Sequence, residues 1–296
     1  MANSVAVPPH AQPHPTSTGK TAPVRSLWLD LTRRCQLACP ACYNDSGVHG
    51  THGSMTCQDW TTVLDHAAHA GVELVQLIGG EPMLHPDAPA LAVHARNLGM
   101  AVEVYSNLVH VTPEWWDVLT RYGVSVATSY YSTDPATHNA MTGRPSHRAT
   151  RANIEKAAAL GIPVRVGVVA GEQNRDHVDA ARRELEALGV TRIDVDHVRP
   201  FGRAASGQEP DPSRLCGQCG NGKAAISLDG HVSPCVFSTW MRVGNVHDHD
   251  LAAILTSATM AEATRIIREA PHTNDGCDPD HDCTPGFPGS GCSPRK

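Results

Sequence analysis

Residues 31–47 read LTRRCQLACPACYNDSG, and three cysteines stand close together inside this stretch. Three residues separate Cys35 from Cys39, and two separate Cys39 from Cys42. The stretch directly follows the apolar run SLWLDL, which predicts a buried β-strand. Three thiols at the end of one strand can reach a single metal centre. They therefore predict either a zinc knuckle or an iron–sulfur site that keeps one position open for another ligand.

The whole chain has the composition of a sizeable α/β protein. Its 296 residues suffice for one large domain with an appendage or for two domains. The formal net charge of −6 argues against a nucleic-acid partner, whose binding surface is normally basic. Its apolar runs are too short to cross a bilayer, and residues 1–24 lack the apolar centre of a secretory signal. We therefore expect a cytoplasmic protein with a disordered N-terminal tail at 1–24 and no membrane partner.

The chain carries ten cysteines, which a reducing compartment would not use for disulfides. Beyond the opening motif, the sequence contains two further groups, namely Cys216, Cys219 and Cys235, and then Cys277, Cys283 and Cys292. Grouping at short spacing is what a metal or iron–sulfur cluster requires, since several thiolates must reach one centre. Cys57 belongs to none of the groups, and we expect it to be an ordinary semi-buried residue.

Strand-like and helix-like runs alternate from about residue 25 to residue 200. Six strand candidates, from SLWLDL to RIDVDHVRP, are separated by five helix candidates that each end in glycine, the residue that most easily takes the left-handed cap. This alternation predicts a parallel sheet. Because six strands are too few to close an eight-stranded barrel, we predict an α/β fold with an open, partial (β/α)6 TIM-type barrel rather than a doubly wound sheet. Functional residues should lie at the carboxyl ends of its strands.

The character of the sequence changes after the Gly- and Pro-rich linker at 198–214. The runs AAISL and HVSPC predict a β-hairpin turned by Asp229 and Gly230, with cysteines on either side. The segment LAAILTSATMAEATRIIREA predicts one short helix, and the Gly- and Pro-rich tail after it would need a cluster to order it. We expect three regions: the tail at 1–24, the barrel at 25–203, and a small cysteine-rich auxiliary domain of hairpin and loops at 204–296.

The run CQLACPAC, followed by Tyr43, resembles the CxxxCxxC motif of the radical S-adenosylmethionine (SAM) superfamily, whose fold is a partial (β/α)6 barrel. The resemblance implies a [4Fe–4S] cluster on Cys35, Cys39 and Cys42, with one iron left open to chelate the amino and carboxylate groups of SAM. It further implies reductive cleavage of SAM to methionine and a 5′-deoxyadenosyl radical, which abstracts a hydrogen atom from the substrate.

Other stretches resemble the SAM-binding motifs of the same superfamily. LIGGEPMLHPD resembles its GGEP motif, which implies that Gly79 and Gly80 admit a ligand closely and that Glu81 pairs with the SAM ammonium. The alternative for Glu81 is a carboxylate at the entry of a helix before Pro82. The resemblance also places near SAM the residues Tyr43, Ser106, Asn107, Ser129 and Arg144. Arg144 would meet the SAM carboxylate, unless it is simply a surface arginine.

The cysteine-flanked run GKAAISLDGHVSPCVFS resembles the SPASM and shorter twitch extensions of the superfamily, which bind auxiliary iron–sulfur clusters. A zinc ribbon is the alternative. The family pattern calls for a further CxxC pair, whereas the tail places five residues between Cys277 and Cys283. Two fully ligated cubanes need eight thiolates, and six are present. The resemblance therefore implies one or two auxiliary clusters, held by Cys216, Cys219, Cys235, Cys277, Cys283 and Cys292.

Enzymes with SPASM-like extensions mostly modify peptides, so the resemblance implies an enzyme that cross-links, epimerises or oxidises a ribosomally made peptide. Its partners would be that peptide and an electron donor such as flavodoxin or ferredoxin. Because the short tail cannot fold into a recognition domain, a separate peptide-recognition protein or a very short substrate would have to compensate. The alternatives are a dehydrogenase, epimerase or rearrangement enzyme acting on a small molecule in antibiotic biosynthesis, and a non-catalytic iron–sulfur or zinc scaffold.

Overall fold

The computed structural model describes residues 23–271, and a mixed sheet of nine strands runs through this part of the chain. The strands are β1 (Ser26–Asp30), β2 (Leu74–Ile78), β3 (Ala101–Tyr105), β4 (Ser125–Tyr130), β5 (Val164–Ala170), β6 (Arg192–His197), β7 (Lys223–Ser227), β8 (His231–Ser233) and β9 (Gly244–Asn245). Strands β1 to β6 lie side by side in chain order, and every pair among them is parallel. The predicted open parallel sheet is therefore confirmed.

Helices connect the six parallel strands β1 to β6. They are α1 (Cys57–His69), α2 (Ala88–Asn97), α3 (Pro113–Arg121), α4 (Pro135–Thr142), α5 (His147–Ala159) and α6 (Val178–Ala187). Two further helices, α7 (Leu251–Leu255) and α8 (Ala258–Glu269), follow β9. The predicted glycine caps are confirmed at Gly71, Gly99, Gly123, Gly161 and Gly189, which all have positive φ angles. Glycine takes this backbone conformation without the steric penalty of a Cβ atom, so each helix stops where the next strand must begin.

Two helical predictions were incomplete or wrong. The sequence pattern did not predict α4, which begins after Asp134, whose side chain accepts a hydrogen bond from the backbone of Thr137. The single helix predicted for LAAILTSATMAEATRIIREA is in fact two helices, α7 and α8. Ser257 breaks the run because its side chain accepts a hydrogen bond from the backbone N–H of Met260 and so starts a new helix. Serine favours this capping position over a helix interior.

The predicted hairpin is confirmed, and its position was not expected. Strands β7 and β8 are antiparallel, and the turn between them passes through Gly230 at φ +78°. Strand β7 also pairs with β1 in parallel, with Ser26 opposite Lys223. The cysteine-rich hairpin thus extends the main sheet directly beside the strand that carries the first cysteine motif. The run AAISL predicts a strand but contains no information about its partner.

The two faces of the sheet pack against different parts of the chain. Leu27 and Leu29 of β1 belong to a core formed with the helices, whereas Trp28 packs in a second cluster with Cys219 and Cys235. This split follows from the alternation of side chains along a strand. None of the helices within 23–271 is both long and apolar enough to cross a membrane.

Candidate functional site

A loop containing Cys35, Cys39 and Cys42 leaves the carboxyl end of β1; we call residues 31–50 the cysteine loop. The backbone N–H of Cys35 donates to the carbonyl of Gly47 at 2.9 Å, which closes the loop on itself. The Sγ atoms of Cys35 and Cys42 each accept a backbone N–H at 3.4 Å. Both sulfur atoms are thus held by backbone donors of the same loop.

The glycine pair after β2 holds this loop in place. The N–H of Gly80 donates to the carbonyl of Thr32 at 2.7 Å, and that of Glu81 donates to the carbonyl of Arg34 at 2.9 Å. A Cβ atom on Gly80 would lie 2.5 Å from the Arg34 oxygen, and one on Gly79 would lie 2.6 Å from the Thr32 oxygen. The two backbones can therefore approach this closely only because neither glycine carries a side chain.

Glu81 is fully buried behind the glycine pair. One carboxylate oxygen accepts the N–H of Met83 at 3.0 Å, and the other accepts the N–H of Asn107 at 2.8 Å. The carboxylate thus caps the short 3-10 turn Pro82–Leu84 and fixes the loop after β3. This is the helix-entry geometry named above as the alternative, while the pairing of Glu81 with the SAM ammonium stays a prediction.

Asn107 joins the loop after β3 to the cysteine loop. Its side-chain amide exchanges two hydrogen bonds with that of Gln36, at 3.1 and 3.2 Å, and its Nδ2 lies 3.6 Å from the Sγ atom of Cys35. Ser106 is buried, and its Oγ atom accepts the N–H of Leu108 at 3.0 Å. Gln36 was not predicted as a site residue, because its role is visible only once it is paired with Asn107.

A pocket of about 930 Å³ brings these elements together. Its wall includes Cys35, Cys39, Cys42 and Tyr43 from the cysteine loop. The loops after β2 and β3 contribute Gly79, Gly80 and Asn107, while Ser129 comes from the end of β4 and Tyr131 from the loop that follows it. Of the other residues predicted to bind SAM, Glu81 and Ser106 are buried outside this lining, and Arg144 is exposed and is not among the lining residues.

The pocket also contains residues that the sequence interpretation missed. Arg199 and Arg203, from the segment read as a linker, line it together with His138 of α4. Burial, and then the neighbouring His147, lower the pKa of His138 to about 4, so its ring is neutral near pH 7. Its Nδ1 atom is buried and has no hydrogen-bond partner among the described residues. For Arg199 and Arg203, the available sequence signal was that two arginines stand close together just after the sixth strand.

The donor set of the pocket fits an iron–sulfur cluster. No disulfide joins any of the seven cysteines within 23–271. In that part of the chain, no three His, Cys, Asp or Glu side chains are arranged to hold a single metal ion. Cys35, Cys39 and Cys42 line one pocket. Soft thiolates are the usual ligands of an iron–sulfur cluster.

The second cysteine group brings its sulfur atoms close together. The Sγ atoms of Cys219 and Cys235 are 2.9 Å apart, and those of Cys216 and Cys219 are 4.0 Å apart. Hydrogen bonding to Cys216 and Cys235, together with burial, raises the pKa of the Cys219 thiol. A bound metal centre would have to supply the free energy that deprotonation needs here. The predicted ligands Cys277, Cys283 and Cys292 lie outside the described residues.

An open parallel sheet with three cysteines after its first strand and a glycine pair after its second defines an iron–sulfur enzyme of the partial-barrel class. The sequence model of the radical SAM superfamily matches residues 29–185, and the chain belongs to that superfamily. The model of the SPASM iron–sulfur cluster-binding domain matches residues 216–284.

Two curated relatives are named PqqA peptide cyclase. The one from Streptomyces rochei is 34% identical over 180 residues, which are 60% of this chain and 49% of the relative. The one from Xanthomonas campestris pv. campestris (strain B100) is 33% identical over 182 residues, which are 61% of this chain and 48% of the relative. The chain thus spans about half the length of the curated relatives it matches.

Solved structures share the fold at low sequence identity. SuiB of Streptococcus suis bound to precursor peptide SuiA superposes with a TM-score of 0.68 at 16% identity, covering 83% of this chain and 67% of SuiB. Native anSMEcpe with bound AdoMet and Cp18Cys peptide gives 0.65 at 14% identity and covers 83% of each chain. BtrN in complex with AdoMet and 2-DOIA gives 0.56 at 13% identity, covering 83% and 88%.

Proposed function

We propose that this chain is an enzyme that cleaves SAM reductively and abstracts a hydrogen atom from a ribosomally made peptide, which it thereby cross-links, epimerises or oxidises. The observation that carries the proposal is the pocket in which the thiol-bearing loop after β1 meets the loops after β2, β3 and β4. A [4Fe–4S] cluster on Cys35, Cys39 and Cys42 would supply the electron that splits SAM into methionine and a 5′-deoxyadenosyl radical.

The lining residues suit a zwitterionic nucleoside ligand. Gly79 and Gly80 leave room for close approach, and Asn107 and Ser129 offer polar atoms at the pocket wall. The buried Glu81 places negative charge behind the glycine pair, which would favour the SAM ammonium. We propose these residues and Tyr43 as the SAM site, with a minor role for Ser106. Arg144 has the weakest support, because it is exposed outside the pocket.

We propose that Cys216, Cys219 and Cys235 hold an auxiliary cluster whose fourth ligand comes from the tail, where Cys277, Cys283 and Cys292 are the candidates. Cys219 and Cys235 are buried and Cys216 is half-buried. The Sγ atom of Cys219 lies 4.0 Å from that of Cys216 and 2.9 Å from that of Cys235, which supports a closed site. A second auxiliary cluster would need ligands other than cysteine, since the chain has too few thiols for two complete sets.

The surroundings of the pocket support a peptide substrate. A second cleft of about 1700 Å³ adjoins it and shares the rings of Tyr43 and Phe237 as a common wall. The flanking residues of a peptide could lie there while one side chain reaches the pocket. The relatives named PqqA peptide cyclase agree with this substrate class.

The proposed chemistry requires partners. An electron donor of the flavodoxin or ferredoxin class would reduce the cluster, and a separate recognition protein would present the peptide. We place the enzyme in the cytoplasm because the thiolate ligands need a reducing compartment.

The test uses the purified, anaerobically reconstituted protein with SAM, a strong reductant and a synthetic copy of any short precursor peptide encoded beside its gene. Mass spectrometry of the peptide, in ordinary and in deuterated water, would detect lost hydrogen for a cross-link or oxidation and incorporated deuterium for an epimerisation. A changed peptide that requires SAM is the expected result. An unchanged peptide, together with turnover of a small alcohol or amino sugar, would contradict the substrate class.

A further inference from the structure

The segment after β6 lies across the cysteine loop; we call residues 198–214 the strap. Gly202 of the strap has φ +56°, and a Cβ atom there would lie 2.4 Å from the carbonyl oxygen of Tyr43 and 2.5 Å from that of Cys42. Any other residue at position 202 would strain the backbone at this angle and would force the strap away from the cysteine loop. The strap and the loop are therefore in direct backbone contact at the two residues that end the cysteine motif.

The next residue, Arg203, holds the loop with four donors. Its backbone N–H donates to the carbonyl of Cys42 at 2.9 Å, and its Nε atom donates to the carbonyl of Cys39 at 3.0 Å. Its Nη2 atom donates to the carbonyl of Ser46 at 2.9 Å, and its Nη1 atom pairs with the carboxylate of Asp45 at 2.9 Å. One side chain thus spans the loop on both sides of Cys42. Only the planar, forked guanidinium can donate in these directions at once.

The charge of Arg203 also bears on the pocket that it lines. A cluster with thiolate ligands carries net negative charge, and adding an electron increases it. A nearby cation favours the reduced state and so raises the reduction potential. The carboxylate of Asp45 opposes this effect, but its side chain is 73% exposed and solvent screens the pair.

The same strap reaches the other cysteine group. Phe201 stacks on Phe237 with ring centroids 5.4 Å apart, and Phe237 follows Cys235 by two residues. Phe201 thus contacts the loop after Cys235, while Arg203, two positions further on, contacts the cysteine loop. The position of Arg203 is set by packing at the auxiliary site as well as by its own hydrogen bonds.

We propose that Arg203 is a positioning residue for the SAM-binding cluster: it fixes the backbone around Cys39 and Cys42, and its charge raises the reduction potential of that cluster. The inference rests on the proposed function, because it takes the cysteine loop to be the SAM-cluster site. Its readouts require the cluster and SAM but no peptide.

The experiment compares reconstituted wild-type protein with Arg203→Met, Arg203→Lys and Asp45→Asn. Arg214→Gln serves as the matched control, because Arg214 is exposed in the same strap. Redox titration followed by electron paramagnetic resonance (EPR) spectroscopy, with and without SAM, gives the potential of each cluster. The signal that changes when SAM is added belongs to the cysteine loop. Circular dichroism and the signal of the auxiliary cluster report whether each variant is folded.

We expect Arg203→Met to lower the potential of the SAM-responsive cluster and to weaken the spectral change on adding SAM. Arg203→Lys keeps the charge and should restore the potential but not the spectral change, and Asp45→Asn should raise the potential. Loss of iron from the loop in a folded Arg203→Met variant would also support the positioning role, and the lysine variant would then decide the role of charge. A methionine variant with wild-type potential and spectrum would overturn the inference. A wild-type protein with no SAM-responsive signal would instead contradict the proposed function.

Discussion

The two cysteine groups of this protein differ in how enclosed they are, although each combines buried and half-buried thiols. In the cysteine loop, Cys39 and Cys42 are half-buried and line an open pocket. In the hairpin region, Cys219 and Cys235 are 2% and 3% exposed, and their Sγ atoms are 2.9 Å apart. The first arrangement leaves space beside the thiols for another ligand, whereas the second encloses them.

The elements that hold each group differ as well. Backbone contacts from several elements hold the cysteine loop, with Gly80, Gly143 and Gly202 each lying against one of its carbonyl groups. Apolar packing holds the hairpin group, by which we mean Cys216, Cys219 and Cys235. Cys219 and Cys235 belong to the second hydrophobic cluster, which also contains Trp28 of β1. A site that exchanges a ligand must keep its shape without filling its centre, and contacts at the rim of the loop achieve this. The predictions below test that contrast.

The largest expected effect is the selective loss of one cluster. Cys39→Ala should abolish the EPR signal that responds to SAM and leave the auxiliary signal, because only one of the two sites loses a ligand. Cys235→Ala should do the reverse. Cys57→Ala is the control. The expectation that Cys57 is semi-buried was wrong: it is exposed at the start of α1, so its replacement should affect neither signal. If either ligand variant removed both signals from a folded protein, the two sites would not be separable as described.

Gly80→Ala should loosen the cysteine loop. The new methyl group would lie 2.5 Å from the carbonyl oxygen of Arg34, so the loop or the end of β2 must move, at a cost of about 3 kcal/mol of unfolding free energy. Urea unfolding measures the cost, and EPR spectroscopy should show most of the SAM-responsive signal lost. Gly71→Ala is the matched control: its φ is also positive but no atom lies within 4 Å, so about 1 kcal/mol and an unchanged signal are expected. Equal effects of the two changes would argue against a special role for the close contact.

Acid should destabilise the pocket through His138. Its ordinary pKa of 6.5 is lowered to about 4 in the folded protein by burial and by His147. Between these values the unfolded chain binds a proton that the folded chain excludes, so the unfolding free energy falls as the pH drops, by up to about 3 kcal/mol. Urea unfolding across this pH range should show a flatter profile for His138→Gln. Part of the slope should remain, because the pKa values of His52, His85 and His147 are lowered too. Identical profiles for the two proteins would contradict the assignment.

Ser238→Ala should have the smallest effect. The Oγ atom of Ser238 accepts the backbone N–H of Cys235 at 2.9 Å in a fully buried position. Leaving that donor unsatisfied should lower the unfolding free energy by about 1–2 kcal/mol and lower the melting temperature. Thr239 is the next residue and is exposed, so Thr239→Ala should change neither the unfolding free energy nor the melting temperature. A wild-type melting temperature for Ser238→Ala would show that the hairpin group does not depend on this hydrogen bond.

The sequence predicted the parts of the fold that depend on hydrophobic periodicity and on the glycines that end helices. Strict alternation gave the parallel sheet, and the glycines that end the helices gave their boundaries. The pairing of β7 with β1 could not be predicted, because a short apolar run is compatible with several neighbours in a sheet. The split between α7 and α8 was missed because apolar periodicity outweighed the capping signal of Ser257.

The candidate site was predictable where residues lie close in the sequence. Cys35, Cys39 and Cys42 share one short motif, and the structure places them at one pocket. Arg203 and Gln36 were missed, since each acts through contacts that only the folded chain creates. The pair of arginines after the sixth strand was the one sequence signal for Arg203, and it does not indicate which atoms that side chain contacts.

The most direct test of the account is 5′-deoxyadenosine formation. Wild-type and Cys39→Ala proteins, each reconstituted anaerobically with iron and sulfide, are incubated with SAM and a strong reductant, and the product is measured by chromatography and mass spectrometry. The account predicts deoxyadenosine and methionine from the wild type and none above background from the variant. Equal amounts from both, or none from a wild-type protein with a loaded, SAM-binding cluster and its peptide present, would contradict it.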